Sequence, residues 1–423
     1  MDADVIVVGA GFAGLAAART LAAAGKSVLV LEARRRAGGR AHSVPARGLD
    51  RPVELGAEFI HGGDPTLRAA LRRAGLRAVP VPRDMWLRDE RGLHRERSYW
   101  AGLARSAERI PPHSALPLAD ALRPRRVDRR QRRQLRAFVE GFYAAPAGAV
   151  SARSIREDEA GASAPQCRPD RGYAPLVRQL LREATAAGGR VRLGEEVREI
   201  RWRRGAVELR TRRRAYQAAA AVVTVPLGVL RTGRPRFRPR LREKQGVLAR
   251  IGWGEVARIT VRLRSDWWRR GPLPDGLAAR GRPRFGFLSR PGEEFPTWWA
   301  PDPRAPVLVG WSGGPKARRL ARLPAAGWRR RAIASLARIM GVPAARLRPW
   351  IRQTWRHDWS ADPFSRGAYS FPLAGRESAP RRLARPVART LYFAGEATAV
   401  EAGTVQGALG SGERAARELL EAG

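Results

Sequence analysis

A chain of 423 residues with 44% apolar side chains is long enough for a large core and for more than one domain. It contains no run of about 18 apolar residues, so no membrane-spanning helix is predicted, and its one cysteine, Cys167, excludes an internal disulfide and a cysteine metal site. The formal charge of +42 comes almost wholly from arginine, since only Lys26, Lys244 and Lys316 of the 81 basic residues are lysine.

A nucleic-acid site is expected to gather lysine, arginine and aromatic residues into one patch, whereas these arginines are spread over most of the chain between Arg34 and Arg389. Two readings stay open: a coding bias that replaces lysine across solvated faces, or a surface that attracts polyanions. Salt-dependent, non-specific sticking to nucleic acid follows from either, and no specific nucleic-acid partner is expected. The acidic start, Met1-Asp2-Ala3-Asp4, lacks the basic flank of a signal peptide, so a cytoplasmic location is expected. The sequence is compatible with a monomer or a homodimer.

The first predicted element is a buried strand over residues 5–8, followed by a tight glycine turn and a helix over 11–24. A second strand, over 27–31, is continuously apolar, as in a parallel sheet. Basic helices are expected over 123–138 and 173–187. Residues 197–202 and 206–210, joined through Arg203-Arg204-Gly205, read as a hairpin. An alternating strand over 256–264, a helix over 327–340 and a closing helix over 404–421 complete the pattern. Three stretches, 4–40, 218–230 and 390–420, are apolar and mostly glycine-punctuated, and Arg- and Pro-rich segments separate them. This predicts an α/β fold in which a Rossmann-type domain is assembled from residues 1–80, 172–247 and 375–423. An α+β domain, 81–171 and 248–374, is inserted into it.

Gly9-Ala10-Gly11-Phe12-Ala13-Gly14 lies between the first strand and its helix, the context that a dinucleotide fingerprint needs. Gly9 allows the turn, Gly11 lets backbone approach a pyrophosphate at the helix N-terminus, and Gly14 permits close packing of helix on strand. Glu32 ends the second strand, where a carboxylate can accept hydrogen bonds from ribose hydroxyls. NAD and FAD both fit this far. Next comes Ala37-Gly38-Gly39-Arg40, whose glycine pair and arginine can wrap a pyrophosphate from its second side.

That extension resembles the G-G-R element of the flavin amine oxidase family, and the resemblance covers nearly the whole chain. Val53-Glu54-Leu55-Gly56-Ala57-Glu58-Phe59-Ile60-His61-Gly62 is similar to the family segment that passes the flavin ring. Arg171-Gly172-Tyr173-Ala174-Pro175-Leu176 resembles its G-G-Y-x-x-L element, and Glu196-Val197-Arg198-Glu199-Ile200 the strand that meets the adenine. Thr224-Val225-Pro226-Leu227-Gly228-Val229-Leu230, Leu391-Tyr392-Phe393-Ala394-Gly395-Glu396 and Gly403-Thr404-Val405-Gln406-Gly407-Ala408 resemble family hallmarks. The resemblance implies a two-dinucleotide-binding fold holding FAD. Along the adenine and pyrophosphate half, Gly9, Gly11, Phe12, Ala13, Gly14, Glu32, Ala33, Arg34, Gly38, Gly39, Arg40 and Val197 would bind the cofactor. Gly56, Ala57, Glu58, Pro226, Gly395, Glu396, Gly403, Thr404 and Val405 would bind its flavin half, with Glu396 on the ribityl chain. The positive end of the helix opening at Thr404 would face the flavin pyrimidine edge and stabilise the reduced anion.

Branches of the family separate by residue. Monoamine oxidases link flavin through a cysteine at the place of Ala368, so FAD is expected to be non-covalent; Cys167 stands far away in an Arg/Pro loop. Their second cage tyrosine falls at Thr404. L-Amino-acid oxidases carry Met-Arg where Glu58 and Phe59 stand. The pattern of polyamine oxidases fits best, and the amine-oxidase domain of histone lysine demethylases is also similar.

His61 is expected in the amine channel, the alternative being a structural histidine. Tyr369 would wall the substrate side of the flavin, the alternative being core packing alone. Glu58 would hold a distal ammonium group or serve as a solvated or structural carboxylate. Trp267-Trp268 and Trp298-Trp299 read as core or tunnel lining, and the arginines of the 123–136 run as a solvated helix face. Arg258, ten residues before Trp268, occupies the place of the family lysine near flavin N5. There it can supply a positive charge that favours electron transfer to O2 but cannot act as a base. The activity implied is oxidation of a small primary or secondary amine to an imine, with O2 as acceptor and H2O2 as product. Desaturation of a biosynthetic substrate on the same fold, or polyanion binding with a structural FAD, are the alternatives.

Overall fold

The structure, a computed structural model, describes residues 1–123, 127–160 and 166–422. Five strands form a parallel sheet in the order Leu391–Phe393, Ala220–Val223, Val5–Val8, Val28–Glu32, Arg190–Leu193. Val5–Val8 and Val28–Glu32 are buried throughout because both faces of this sheet are covered. Alternation divides them between two cores. Val5, Val7, Val28 and Val30 pack on the helices Phe12–Ala23, Ala174–Ala186 and Val405–Ala422. Ile6, Val8, Leu29 and Leu31 pack on the opposite side against Ile200, Val207, Leu209 and Tyr216. Those residues belong to a four-stranded sheet ordered Ala215–Ala218, Ala206–Arg210, Glu199–Arg203, Arg236–Arg238. The result is the α/β, Rossmann-type layering expected.

The second large sheet has seven strands, ordered Ile351–Arg356, Val256–Leu263, Val307–Gly313, Thr297–Trp299, Phe287–Ser289, Met85–Asp89, Gly92–Arg95. Period two again decides its faces. Ala257, Ile259, Val261 and Leu263 enter a core with Trp298, Trp328 and Leu336 of the helix Ala325–Met340. Arg258, two residues into the strand, therefore lies on the other face. Phe287, Trp299 and Val309 close a separate core beneath the helices Tyr99–Glu108 and Arg129–Phe142.

Several expected boundaries move. The helix predicted over 123–138 runs from Arg129 to Phe142, because Asp128 caps it by accepting from Gln131 N at 2.9 Å. Residues 124–126 of that expectation lie outside the described residues. The hairpin strand begins at Glu199, which leaves Val197 in the loop before it. Cys167 is not in a remote loop: it opens the buried strand Cys167–Pro169 and exchanges backbone hydrogen bonds with Ile60, next to His61. Trp267, Trp268 and Trp298 are core residues. Among the described residues no helix is long and apolar enough to cross a membrane.

Candidate active site

One continuous cavity of about 2230 Å³ runs from the C-terminal ends of the parallel strands to the face of the seven-stranded sheet that bears Arg258. It is larger than the ~300–1,000 Å³ typical of a single small-molecule pocket, as a dinucleotide and a substrate together require. Every residue expected to bind FAD, together with His61, Arg258 and Tyr369, lines it except Gly14. Gly14 serves the motif from behind: a Cβ there would stand 1.9 Å from the Gly9 carbonyl oxygen.

At the fingerprint the backbone is bare. Gly9 has φ +106°, and a Cβ on it would meet Thr224 Oγ1 at 2.7 Å. Gly11 and Gly39 approach each other so closely that a Cβ on Gly39 would lie 3.3 Å from the Gly11 Cα. The helix Phe12–Ala23 has no side-chain cap at Gly11 and no acidic residue in its first turn, which leaves its positive end open to an anion. Glu32 is buried and accepts from Ala10 N at 2.7 Å and Arg34 N at 2.8 Å, so its two oxygens tie the glycine turn to the loop after the strand. These features fit the ADP half of FAD.

Arginines around this half bind protein as well as facing the cavity. Arg34 donates to Asp362 Oδ1 at 2.7 Å and Ser365 Oγ at 2.9 Å, linking the fingerprint domain to residues 358–369 of the cavity wall. Arg40 pairs with Glu396 at 2.9 Å. The other Glu396 oxygen accepts from Ser370 N, Ser370 Oγ and Gly403 N, at 3.1, 2.6 and 2.9 Å. Glu396 thus joins three separate segments where the resemblance implied a contact with the ribityl chain. Pro226 N-caps the helical turn Leu227–Leu230 at the cavity edge. Thr404 caps the closing helix, its Oγ1 accepting from Gly407 N at 3.0 Å.

At the end of the cavity towards Arg258, His61 is half-buried, touches the rings of Phe59 and Phe142, and faces Gln166 Nε2 at 3.3 Å. Burial pushes its pKa down to about 4. Tyr369 donates to Phe142 O at 2.6 Å, and its ring lies against Gly403, where a Cβ would come within 3.1 Å of it. Arg258 is 4% exposed and donates to Glu58 Oε2 at 2.6 Å and to Gly56 O at 3.3 Å. Glu58, equally buried, also accepts from Trp299 Nε1 at 3.0 Å and pairs with Arg168 at 3.3 Å. Burial opposes its ionisation, but Arg258 and Arg168 outweigh this and hold its pKa below the usual carboxylate range. The carboxylate considered for a distal ammonium is therefore committed to two guanidinium groups. Trp299, unlike its neighbour Trp298, lines the cavity.

The chain matches the family described as flavin containing amine oxidoreductase over residues 12–125 and 113–420. It belongs to that family. Polyamine oxidase 2 of Arabidopsis thaliana is similar at 29% identity over 453 residues, covering 98% of this chain and 87% of the relative. Lysine-specific histone demethylase 1 homolog 2 of the same plant is 29% identical, over 99% of this chain and 58% of the relative. A solved putrescine oxidase bound to putrescine shares the fold, with a TM-score of 0.81 at 22% identity, covering 100% of this chain and 99% of that one.

As a member of the flavin-containing amine oxidoreductases, the protein is an FAD-dependent enzyme acting on amines. Two of the residues that shape its site escaped the sequence. Arg36 donates to the carbonyls of Ala37, Gly39 and Ala41 at 3.2, 2.9 and 3.2 Å and so holds the second glycine turn in shape. Arg168 reaches the site from a strand more than 100 residues away from Glu58. Nothing in the local pattern separates these two from the other arginines.

Proposed function

We propose that this enzyme oxidises a small amine carrying more than one positive charge, a polyamine-like substrate, with O2 as acceptor and H2O2 as product, using FAD held without a covalent link. The observation that carries this is the charge of the cavity. Among the described residues, 14 of the chain's 39 carboxylates line it but only 16 of its 81 basic side chains. In a chain of net charge +42 the cavity wall is thus close to charge-balanced, which lowers the cost of admitting a polycation. Asp158 lies exposed at the cavity wall, and partial burial together with the like charges of Glu159, Glu157 and Glu401 raises its pKa. A substrate ammonium group placed there would relieve that like-charge repulsion.

The reacting end would lie among Phe59, His61, Phe142, Trp299 and Tyr369. Loss of hydration in this enclosed end disfavours the charged form, so the amine there would react as the neutral base, while distal nitrogens stay charged near the carboxylates. His61, neutral across the physiological range, adds no cation to this end. When bound, FAD supplies the two-electron acceptor for the hydride on the carbon beside the amine. The protein's residues supply position, exclusion of water and the fixed charge of Arg258. Ala368 supports non-covalent binding, because it stands at the cavity edge with no nucleophile to offer. A peroxide-coupled screen of putrescine, spermidine, spermine and monoamines tests the proposal. Turnover is expected to be highest on the di- and polyamines; a preference for singly charged monoamines, or no peroxide from any amine, would overturn it.

A further inference from the structure

The buried group formed by Arg258, Glu58 and Arg168 has two cations and one anion. Arg258 lines the cavity and Arg168 stands behind it, with Glu58 between them. Each member is held from more than one side. Arg168 also donates to the carbonyls of Ala300 and Pro301, and its guanidinium lies 5.5 Å from the Phe59 ring centre. Trp299 donates to the Glu58 oxygen that faces Arg168, and the Arg258 guanidinium lies 5.6 Å from the Trp299 ring centre. Two donors from Arg258, to Glu58 and to Gly56 O, fix the plane of its guanidinium. All three charged side chains are at least nine-tenths buried, so water screens them poorly and their charges act together on whatever fills the cavity. Other ionisable groups facing this cluster are Glu54, whose pKa burial raises to about 7, Tyr173, and on the Arg168 side Arg51 and Asp302, which pair with each other at 3.2 Å and add no net charge.

We propose that Glu58 and Arg168 are positioning residues for Arg258, setting both the orientation of its guanidinium and the net charge, +1, that the cavity wall presents to the flavin. Glu58 keeps the guanidinium in place and cancels one charge; Arg168 restores it from behind the wall. The two unusual residues, an arginine at 258 and an acid at 58, then belong together as one device. The proposal rests on the cavity holding FAD.

The test uses the holoenzyme and reads the oxidised flavin rather than turnover. The dissociation constant of sulfite, followed by loss of visible flavin absorbance, is measured for the parent, Glu58→Gln, Arg168→Gln and the double variant, with the midpoint potential as a second readout. Arg168→Gln leaves a neutral pair and is expected to weaken sulfite binding about tenfold. Glu58→Gln leaves two cations and is expected to tighten it about tenfold. A tenfold change corresponds to about 30 mV in a two-electron potential. The double variant regains a single cation and should return to within about threefold of the parent. A purely structural role would move both single variants the same way, so shifts of equal sign, shifts under threefold, or a double variant that fails to return overturn the proposal. If Glu58→Gln does not retain flavin, Arg168→Gln decides alone, through its expected weakening. A colourless parent would instead count against FAD binding itself.

Discussion

Gly14 lies against the carbonyl oxygen of Gly9, the residue that turns the chain out of the first strand. At 1.9 Å a methyl group cannot be accommodated without moving backbone. Gly14→Ala is expected to destabilise the protein at or above the upper end of the ~1–3 kcal/mol seen for overpacked cores, and to lower flavin content although residue 14 does not line the cavity. Urea unfolding and the flavin-to-protein absorbance ratio check both effects. Unchanged stability would show that helix and strand can part here.

Glu32→Ala removes the acceptor for Ala10 N and Arg34 N together with the carboxylate proposed for the ribose hydroxyls. A hydrogen bond to a charged group contributes about 1.5–3 kcal/mol, so the FAD dissociation constant should rise at least tenfold. Fluorescence of flavin released on dilution measures this. Retention equal to the parent's would place the ribose elsewhere.

Arg258→Met deletes the charge on an unbranched stem. Reoxidation of the reduced enzyme by O2 is expected to slow by tenfold or more, while anaerobic reduction by substrate changes much less. Arg258→Lys should recover part of the oxygen reactivity, since it restores a cation on a shorter stem. Stopped-flow measurement of the two half-reactions separates them, and unchanged reoxidation in the Met variant would remove Arg258 from the oxygen step.

Glu54 accepts from Ser43 Oγ at 2.7 Å and Tyr173 N at 2.9 Å, and burial raises its pKa to about 7 from an ordinary 4.5. A raised pKa means that the folded state holds the proton more tightly. The resulting stability is present in full below pH 4.5 and is lost as pH rises to 7, at up to about 1.4 kcal/mol per pH unit. Glu54→Gln carries no titrating proton. Relative to the parent it should gain stability as pH rises from 4.5 to 7, and the gap should be constant above. Denaturant midpoints across that range test it; parallel curves would mean that Glu54 titrates normally.

Much of the nucleotide half was legible because its signals are local. Val5–Val8, the turn at Gly9 and Glu32 at the end of its strand follow from alternation, glycine spacing and one acid within about thirty residues. The substrate half was less legible because its determinants are distant. Arg258 could be placed by its register before Trp268, yet the meaning of Glu58 depended on Arg168 and Trp299, which approach it only in the folded chain. The helix expected to begin at residue 123 was displaced because Asp128, a single acid in an arginine run, outweighed helix propensity as a cap. Cys167 read as loop because a three-residue strand among arginines and prolines leaves no periodic trace.

The order of strands in the parallel sheet carries a consequence for how the protein comes into being. Val5–Val8 is central, yet one of its neighbours, Ala220–Val223, is synthesised more than 200 residues later, and the edge strand Leu391–Phe393 later still. The helix Val405–Ala422, which shares a core with Leu15 and Ala16, follows later again. Pairings of such long sequence separation form slowly, because the loop must close before the contact stabilises anything. The newly made N-terminal half therefore exposes one flank of its most apolar strand until the rest of the chain emerges. Expression yield, more than the activity of the finished enzyme, should respond to slow translation, to chaperone supply and to substitutions in the eighteen residues of that helix.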